Sequence, residues 1–239
     1  YILNDAIITS GKITTLSEYS IVSENRLTSV DRDTPSELCA ILGCALTTAM
    51  GIIDNEIDLK FGESLAVIGC GGIGLNLIQA ASMKNAFPII AVDNNINKQD
   101  LCMKSNASHF INDINDYSQG NIDIIIDTTG IPSLITDAIN KLSNNGRMIL
   151  VGQPAPDKFV QISNALNLFN GIGKTIKATQ GGKTRPHFDI PRYVKLYKND
   201  RLQIDHLFTH RFPLVDVNKG FDLLRSGNAG RVIVSIHEK

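Results

Sequence analysis

The sequence predicts an α/β fold, a doubly wound parallel sheet with helices on both faces, and three observations carry that expectation. Residues 64–68, Ser-Leu-Ala-Val-Ile, have strand character and run directly into Gly69, Gly71 and Gly74, a G-x-G-x-x-G, after which residues 75–83 read as helix. A second strand over 88–92 ends in Asp93, 22 positions after Gly71, where a dinucleotide-binding unit places the carboxylate that holds a ribose 2′-OH. The runs 122–126 and 147–151 are nearly continuous in apolar residues rather than alternating, as strands buried on both faces are.

The glycine segment carries the chemistry. Gly69 permits a tight turn, Gly71 lets a pyrophosphate approach the backbone, and Gly74 lets the helix pack on its strand. With Gly72 and Ile73 between them, the helix N-terminus offers free N–H groups and a positive dipole end to phosphate.

The remaining elements follow in order. Residues 17–23 alternate and read as a strand, with 26–30 as another. Thr34-Pro35-Ser36-Glu37 is a capping box with proline at the first helical position. Leu38, Ile41, Leu42, Ala45, Leu46 and Ala49 then form one apolar helical stripe, and Cys44 lies off it. Residues 54–62 read as a polar connection. Beyond Asp93, residues 94–98 form a loop into a polar helix, and 109–111 a short strand. The strand 122–126 ends in Asp127-Thr128-Thr129-Gly130, a helix follows over 132–142, and Asn144-Asn145-Gly146 turns the chain into strand 147–151. Alternating strands and helices imply right-handed parallel connections. The loops at 69–74, 93–98, 128–130 and 151–153 all lie at the carboxyl edge of the strands, where such sheets bind ligands. Residues 174–180 read as a last strand, Gly181-Gly182 as a break. Helix over 186–197, extended chain over 207–212, helix over 215–225 with Gly227 past its end, and strand over 231–236 complete the chain.

Composition bounds the function. The chain of 239 residues is 43% hydrophobic and 20% charged, enough for one or two globular domains. A net charge of -1 gives no electrostatic basis for nucleic acid or an anionic membrane surface as partner. No apolar stretch approaches the ~20 residues that span a bilayer, and no signal-peptide pattern opens the chain. Cys39, Cys44, Cys70 and Cys102 form no C-x-x-C pair, which suits a reducing, cytoplasmic setting. Cys39 and Cys102 read as packing residues, Cys70 as a variable slot between glycines. The five histidines, His109, His187, His206, His210 and His237, show no ligand spacing and read as surface or capping residues. The first residue is Tyr1, so the expectation is a piece of a longer or processed protein.

With these residues in view, the chain resembles the zinc-dependent, medium-chain alcohol dehydrogenases. The match runs through 42–51 (Leu-Gly-Cys-Ala-Leu-Thr-Thr-Ala-Met-Gly), 67–74 (Val-Ile-Gly-Cys-Gly-Gly-Ile-Gly), Val92-Asp93 with Lys98, and 221–227 (Phe-Asp-Leu-Leu-Arg-Ser-Gly) followed by Arg231. The resemblance implies a Rossmann coenzyme domain over 46–180, flanked by remnants of a GroES-like catalytic domain at 1–45 and 181–239. By the same resemblance, Cys44 is one of three catalytic zinc ligands, Thr48 lies beside the nicotinamide of NAD, and Ile73 packs behind its ring. Lys98 reaches the adenosine ribose and Arg231 the pyrophosphate. Thr128, Thr129, Val151, Gly152, Ala178 and Gln180 line the coenzyme cleft, with Gln153 in the same loop as Val151. Asn94, which follows Asp93, brings no positive charge that would favour NADP.

Departures from the family shape the expectation. Its other zinc ligands, a cysteine and a Gly-His-Glu histidine, precede these segments, and nothing here replaces them. The reading is therefore the coenzyme-binding portion of an NAD- and zinc-dependent dehydrogenase acting on small alcohols or aldehydes, a homodimer or homotetramer through strand 174–180. The flanking pieces should show exposed apolar surface. Two alternatives stay open: a non-catalytic nucleotide-binding or regulatory protein, and a zinc-free reductase of the same superfamily.

Overall fold

The computed structural model describes residues 15–162 and 173–236, residues 166 and 168, and the backbone at 2–3 and 6–7. Its centre is a six-stranded parallel sheet. The strands are β1 (Leu65–Ile68), β2 (Ile89–Val92), β3 (His109–Ile111), β4 (Ile122–Asp127), β5 (Leu142–Leu150) and β6 (Thr175–Ala178). Their spatial order is β3-β2-β1-β4-β5-β6, so the order reverses between β1 and β4, the doubly wound arrangement expected from the sequence. β1 and β2 are buried throughout, and β4 nearly so, which is why these strands read as unbroken apolar runs.

Two cores flank the sheet. On one face Val67, Ala91, Ile124 and Ile126 pack with helix α3 (Gly72–Met83) and the two preceding helices. On the other, Ile68, Ile90, Ile125 and Met148 pack with helix α5 (Pro132–Lys141). The short helix α4 (Gln99–Lys104) connects β2 to β3.

The expected single helix through Leu38 and Ala49 is two helices, α1 (Ser36–Leu42) and α2 (Ala45–Gly51), with a 57° bend between α1 and the run 45–56. All six stripe residues are buried, so the stripe was a true record of burial but not of continuity. The break falls at Gly43 and Cys44, and Cys44 sits at the N-cap of α2 with φ -149° and ψ -71°, outside helical geometry. The capping box does not form. Pro35 is the N-cap, no side chain caps the helix, and Glu37 instead pairs with Arg211 at 2.8 Å. A π-helix, Ile52–Glu56, extends α2, so the polar connection expected from residue 54 begins three residues later, after Glu56.

Other boundaries also move. Residues 17–23 and 26–30 are not strands: Glu24–Arg26 is a 3-10 turn and the rest is irregular chain, mostly exposed, with Val30 packed against the larger core. Alternation alone does not make a strand where no sheet edge receives it. The turn at Asn144-Asn145-Gly146 is a bulge inside β5, which pairs with β4 as Ile122↔Leu142 and then Ile124↔Arg147. Asn145 takes a positive φ of 59° there.

Beyond β6 the chain forms helix α6 (Pro186–Lys198), strand β7 (Phe208–Pro213), helix α7 (Val217–Arg225) and strand β8 (Arg231–Ser235), with β7 and β8 paired in parallel. This portion is docked on the main sheet rather than left bare. Leu202, Ile204 and Leu207 enter the larger core. Gln79 on α3 exchanges two hydrogen bonds with the Gln203 backbone, at 2.5 and 3.0 Å. The Asn95 amide donates to the Gly227 carbonyl at 2.9 Å. Apolar exposure persists at Tyr19, Ile21, Leu27, Phe221 and Leu224, as expected for the flanking pieces. Among the described residues no single helix is long and apolar enough to cross a membrane.

Candidate coenzyme site

The loop after β1 meets the demands that its glycines predict. Gly69 has φ +88°, and a Cβ there would come within 2.5 Å of the Thr128 hydroxyl. A Cβ on Gly74 would drive into the Gly69 carbonyl, so strand and helix approach as closely as backbones can. Gly71 differs: no atom lies within 4 Å of where its Cβ would be, which leaves open space beside the backbone at the N-terminus of α3. Gly71 is the N-cap and supplies no capping side chain.

Arg231, the first residue of β8, lies across that helix end. A Cβ on Gly72 would meet its Nε, Cδ and Cζ at 2.7–2.9 Å. The Nε is buried without a hydrogen-bond partner. Burial pushes the guanidinium below its usual pKa, opposed by the neighbouring Cys44 side chain. A half-buried cation with a buried, unmet donor, next to a bare helix N-terminus and an open glycine, fits a diphosphate. The structure thus meets the requirements of a dinucleotide.

Asp93 is 8% exposed at the end of β2. Its Oδ2 accepts from the Cys70 N–H at 2.8 Å and from Lys98 Nζ at 2.9 Å, and its Oδ1 from the Asn95 N–H at 3.0 Å. The carboxylate therefore joins the glycine loop to the 93–98 loop and is charge-balanced by Lys98. Asn94 is exposed beside it.

Asp127, wholly buried at the end of β4, organises the next two loops. It accepts from the Thr129 N–H and hydroxyl at 3.1 and 2.6 Å and from the Gly130 N–H at 2.9 Å. Its own carbonyl accepts from Val151 and Gly152 N–H, at 2.8 and 3.1 Å. A Cβ on Gly152 would come within 2.6 Å of the Thr129 backbone, so the two loops are locked together. Thr128 donates to the Ile68 and Gly69 carbonyls at 3.0 and 2.8 Å. The hydroxyl protons of Thr128 and Thr129 are thus committed within the protein.

A cavity of about 570 Å³ opens beyond these loops, lined by Cys44, Thr48, Ile73, Val151, Gln153 and Gln180 among the residues singled out from sequence. Gly152 and Ala178 lie next to it in sequence but do not line it. Sequence reasoning missed Arg26, Thr47, Thr179, Thr184 and Pro186 in its wall, residues drawn from the 24–26 turn, α2, the chain after β6 and the start of α6. Cys39 is a correction: it is exposed and lines the same cavity rather than packing in the core. Cys70 and Cys102 are both fully buried, in the same core. The Cys70 thiol is pushed up by its hydrogen-bonding contact with Cys102 and by burial. His206 is half-buried against Ser105 rather than at the surface, and His237 lies outside the described residues.

Zinc is a different matter. Among the described residues no group of three or more His, Cys, Asp or Glu side chains could hold a metal ion, and Cys44 stands as a single candidate ligand. A catalytic zinc needs three protein ligands and an open position, so these residues do not fit the ion by themselves.

A doubly wound α/β protein with a dinucleotide cradle at its switch point is the class that fold and site define. The sequence profile of the family described as zinc-binding dehydrogenase matches residues 72–197, more than half of the chain, and the protein belongs to that family. It is 31% identical over 236 residues to S-(hydroxymethyl)glutathione dehydrogenase of Paracoccus denitrificans, covering 92% of this chain and 62% of that protein. The structure of an alcohol dehydrogenase zinc-binding domain protein from Burkholderia ambifaria superposes with a TM-score of 0.84 at 28% identity, over 92% of this chain and 60% of that one. Benzyl alcohol dehydrogenase from Acinetobacter calcoaceticus gives 0.81 at 27% identity, over 88% and 59%. The chain spans about three fifths of the length of the relatives it matches.

Proposed function

We propose that this chain is the coenzyme-binding portion of an NAD-dependent alcohol dehydrogenase, passing hydride between a small alcohol or aldehyde and NAD. The observation that supports it most is the cradle of Gly71, Gly72 and Arg231, with Asp93 at the adjoining strand end. Bound NAD would supply the hydride acceptor. Arg231 would neutralise the diphosphate, and Asp93 with Lys98 would hold the adenosine ribose. Ile73 and Val151 would support the nicotinamide ring, with Thr48 and Cys44 on the wall of the same cavity. In this reading residues 46–180 are the coenzyme domain, and residues 1–45 and 181–239 belong to the catalytic domain. Zinc ligands other than Cys44 would come from outside the described residues. The edge strand β6, with Ile176 40% exposed, supports pairing of two copies into a dimer or tetramer.

Titration of the purified chain with NADH and NADPH, followed by nucleotide fluorescence, tests the reading. NADH binding that is saturable, and tighter than NADPH binding, is the expected result. Failure to bind either would overturn it. Sedimentation velocity across concentrations tests the assembly, and a concentration-independent monomer would count against it.

A further inference from the structure

A second cavity, of about 160 Å³, opens where the C-terminal ends of α2 and α3 meet α6. It shares no lining residue with the 570 Å³ cavity, so the two can be filled at once. Met50, Ile53, Ala80, Met83 and Leu196 give it an apolar lining. Its charged edge is closed on itself. Asp54 pairs with Lys84 at 2.8 Å and with Arg192 at 3.2 Å, and Arg192 also reaches Asp189 at 3.1 Å. Two cations and two carboxylates balance, so this edge carries no net charge.

Tyr193 on α6 stands apart in this lining. It is 3% exposed, and its buried hydroxyl has no hydrogen-bond partner among the described residues. No other side chain of this cavity leaves a buried polar atom unpaired. Burial pushes the Tyr193 phenol up to about 12, with the Asp189 and Asp54 carboxylates acting in the same direction, so it is a neutral donor near neutral pH. A buried tyrosine hydroxyl ordinarily finds a partner, because a desolvated donor left unmet is costly.

The lining selects the occupant. The volume suits a single ring, since an apolar cavity of ~150 Å³ takes benzene. Two methionine thioethers, flexible and polarisable, favour an aromatic body. The balanced edge leaves no free counter-ion for a charged head group. Asp54 gives one oxygen to each of its cations, and a carboxylate has lone pairs for further donors. A hydroxyl suits both groups, since its oxygen can accept the Tyr193 proton while its own proton goes to Asp54. We propose that this cavity is a binding site for a one-ring aromatic molecule that carries an uncharged hydroxyl. The site does not depend on the coenzyme reading.

The chain has four methionines, of which Met50 and Met83 line the cavity and Met103 and Met148 do not. Magnetic resonance of isotopically labelled methionine methyl groups, during titration with phenol, therefore reads the site directly. The Met50 and Met83 signals should move and saturate with a dissociation constant of about 1 mM or below, while Met103 and Met148 stay in place. Toluene, the same shape without the hydroxyl, is the comparison probe. Tyr193→Phe should weaken phenol binding about tenfold, the worth of one hydrogen bond, and leave toluene binding unchanged. Its melting temperature without ligand should not fall, because the hydroxyl has no protein partner to lose. Leu196→Phe, which fills the cavity, should weaken both probes. Still Met50 and Met83 signals, or an equal drift of all four, would overturn the proposal. So would phenol binding that Tyr193→Phe leaves unchanged or weakens no more than toluene binding. A clear drop in the melting temperature of Tyr193→Phe would also overturn it, by showing that the hydroxyl is already satisfied within the protein.

Discussion

Arg231 rests against Gly72 so closely that a single methyl group on that glycine would stand 2.7 Å from the Arg231 Nε. The contact joins the last strand of the chain to the first turn of α3, residues far apart in sequence. It places the buried, unpartnered Nε donor over the N-terminal end of the helix.

Arg231→Ala should weaken NADH binding by about 10- to 100-fold, the range for a charged hydrogen bond lost to a diphosphate. Stability should change little, because the Nε has no protein partner to lose. Gly74→Ala should do the reverse. Its Cβ meets the Gly69 carbonyl, which is backbone and cannot swing aside as the Arg231 tip can. The expected cost is about 1–3 kcal/mol or more of overpacking. Paired thermal melts and coenzyme titrations separate the two, and an Arg231→Ala protein with normal NADH affinity would remove the arginine from the site.

Asp93→Ala should narrow the preference for NADH over NADPH at least tenfold, since the carboxylate repels a 2′-phosphate and Lys98 would be left unpaired to receive it. It should also destabilise the chain. The buried N–H of Cys70 and the N–H of Asn95 both lose their acceptor, at about 1–3 kcal/mol for a buried unsatisfied donor. An unchanged coenzyme ratio in a folded variant would show that Asp93 acts only as a tie between loops.

Stability should fall as pH drops below about 6.5, and His206 should account for part of that loss. The imidazole Nε2 is 2.8 Å from the Oγ of fully buried Ser105. Burial lowers its pKa below the usual value near 6.5, with the Lys104 charge acting in the same direction and Asp205 opposing. The unfolded chain then binds more protons than the folded one between the two pKa values. The contribution is complete above the unfolded value and is lost as pH falls through the window down to the folded value. Melting temperatures at pH 7.5 and 5.5 should differ less for His206→Gln than for the unaltered chain. An equal difference in both would place the pH sensitivity elsewhere.

The sheet was legible because burial on both faces leaves a local mark. Residues 65–68 are apolar without alternation and 122–126 nearly so, and glycine with acidic strand ends punctuates them. The bend at Gly43 and Cys44 was not legible, because Leu38 and Ala49 lie on one helical stripe whether or not the helix between them is straight. Residues 17–30 alternate like strands yet meet no partner edge, and pairing is a tertiary fact. Docking of the last 50 or so residues through Gln79–Gln203 and Asn95–Gly227 joins positions more than 120 apart, beyond any periodicity. The same holds for the cavity. Cys44, Thr48, Ile73 and Val151 stood out by motif, but Arg26 and Thr179 enter it only because the fold brings their loops together.

The chain by itself should bind NAD without oxidising alcohols, and Cys44 decides why. Its position at the break between α1 and α2 exposes the thiol on the wall of the cavity, next to the Arg231 charge. One thiolate cannot hold a catalytic zinc, which needs three protein ligands, and no other group of ligating side chains gathers there among the described residues. A zinc ion held by a full ligand set would supply the polarisation that lets an alcohol release its proton, chemistry that a lone cysteine does not provide. The proposed coenzyme site has no such dependence, since it would be built from backbone N–H groups, Asp93, Lys98 and Arg231. Cys44→Ser should therefore leave NADH affinity within about twofold while NADH production from primary and secondary alcohols stays at background with or without added zinc. Zinc-dependent turnover by the unaltered chain, abolished in Cys44→Ser, would show that further ligands are present and that the chain is catalytically complete.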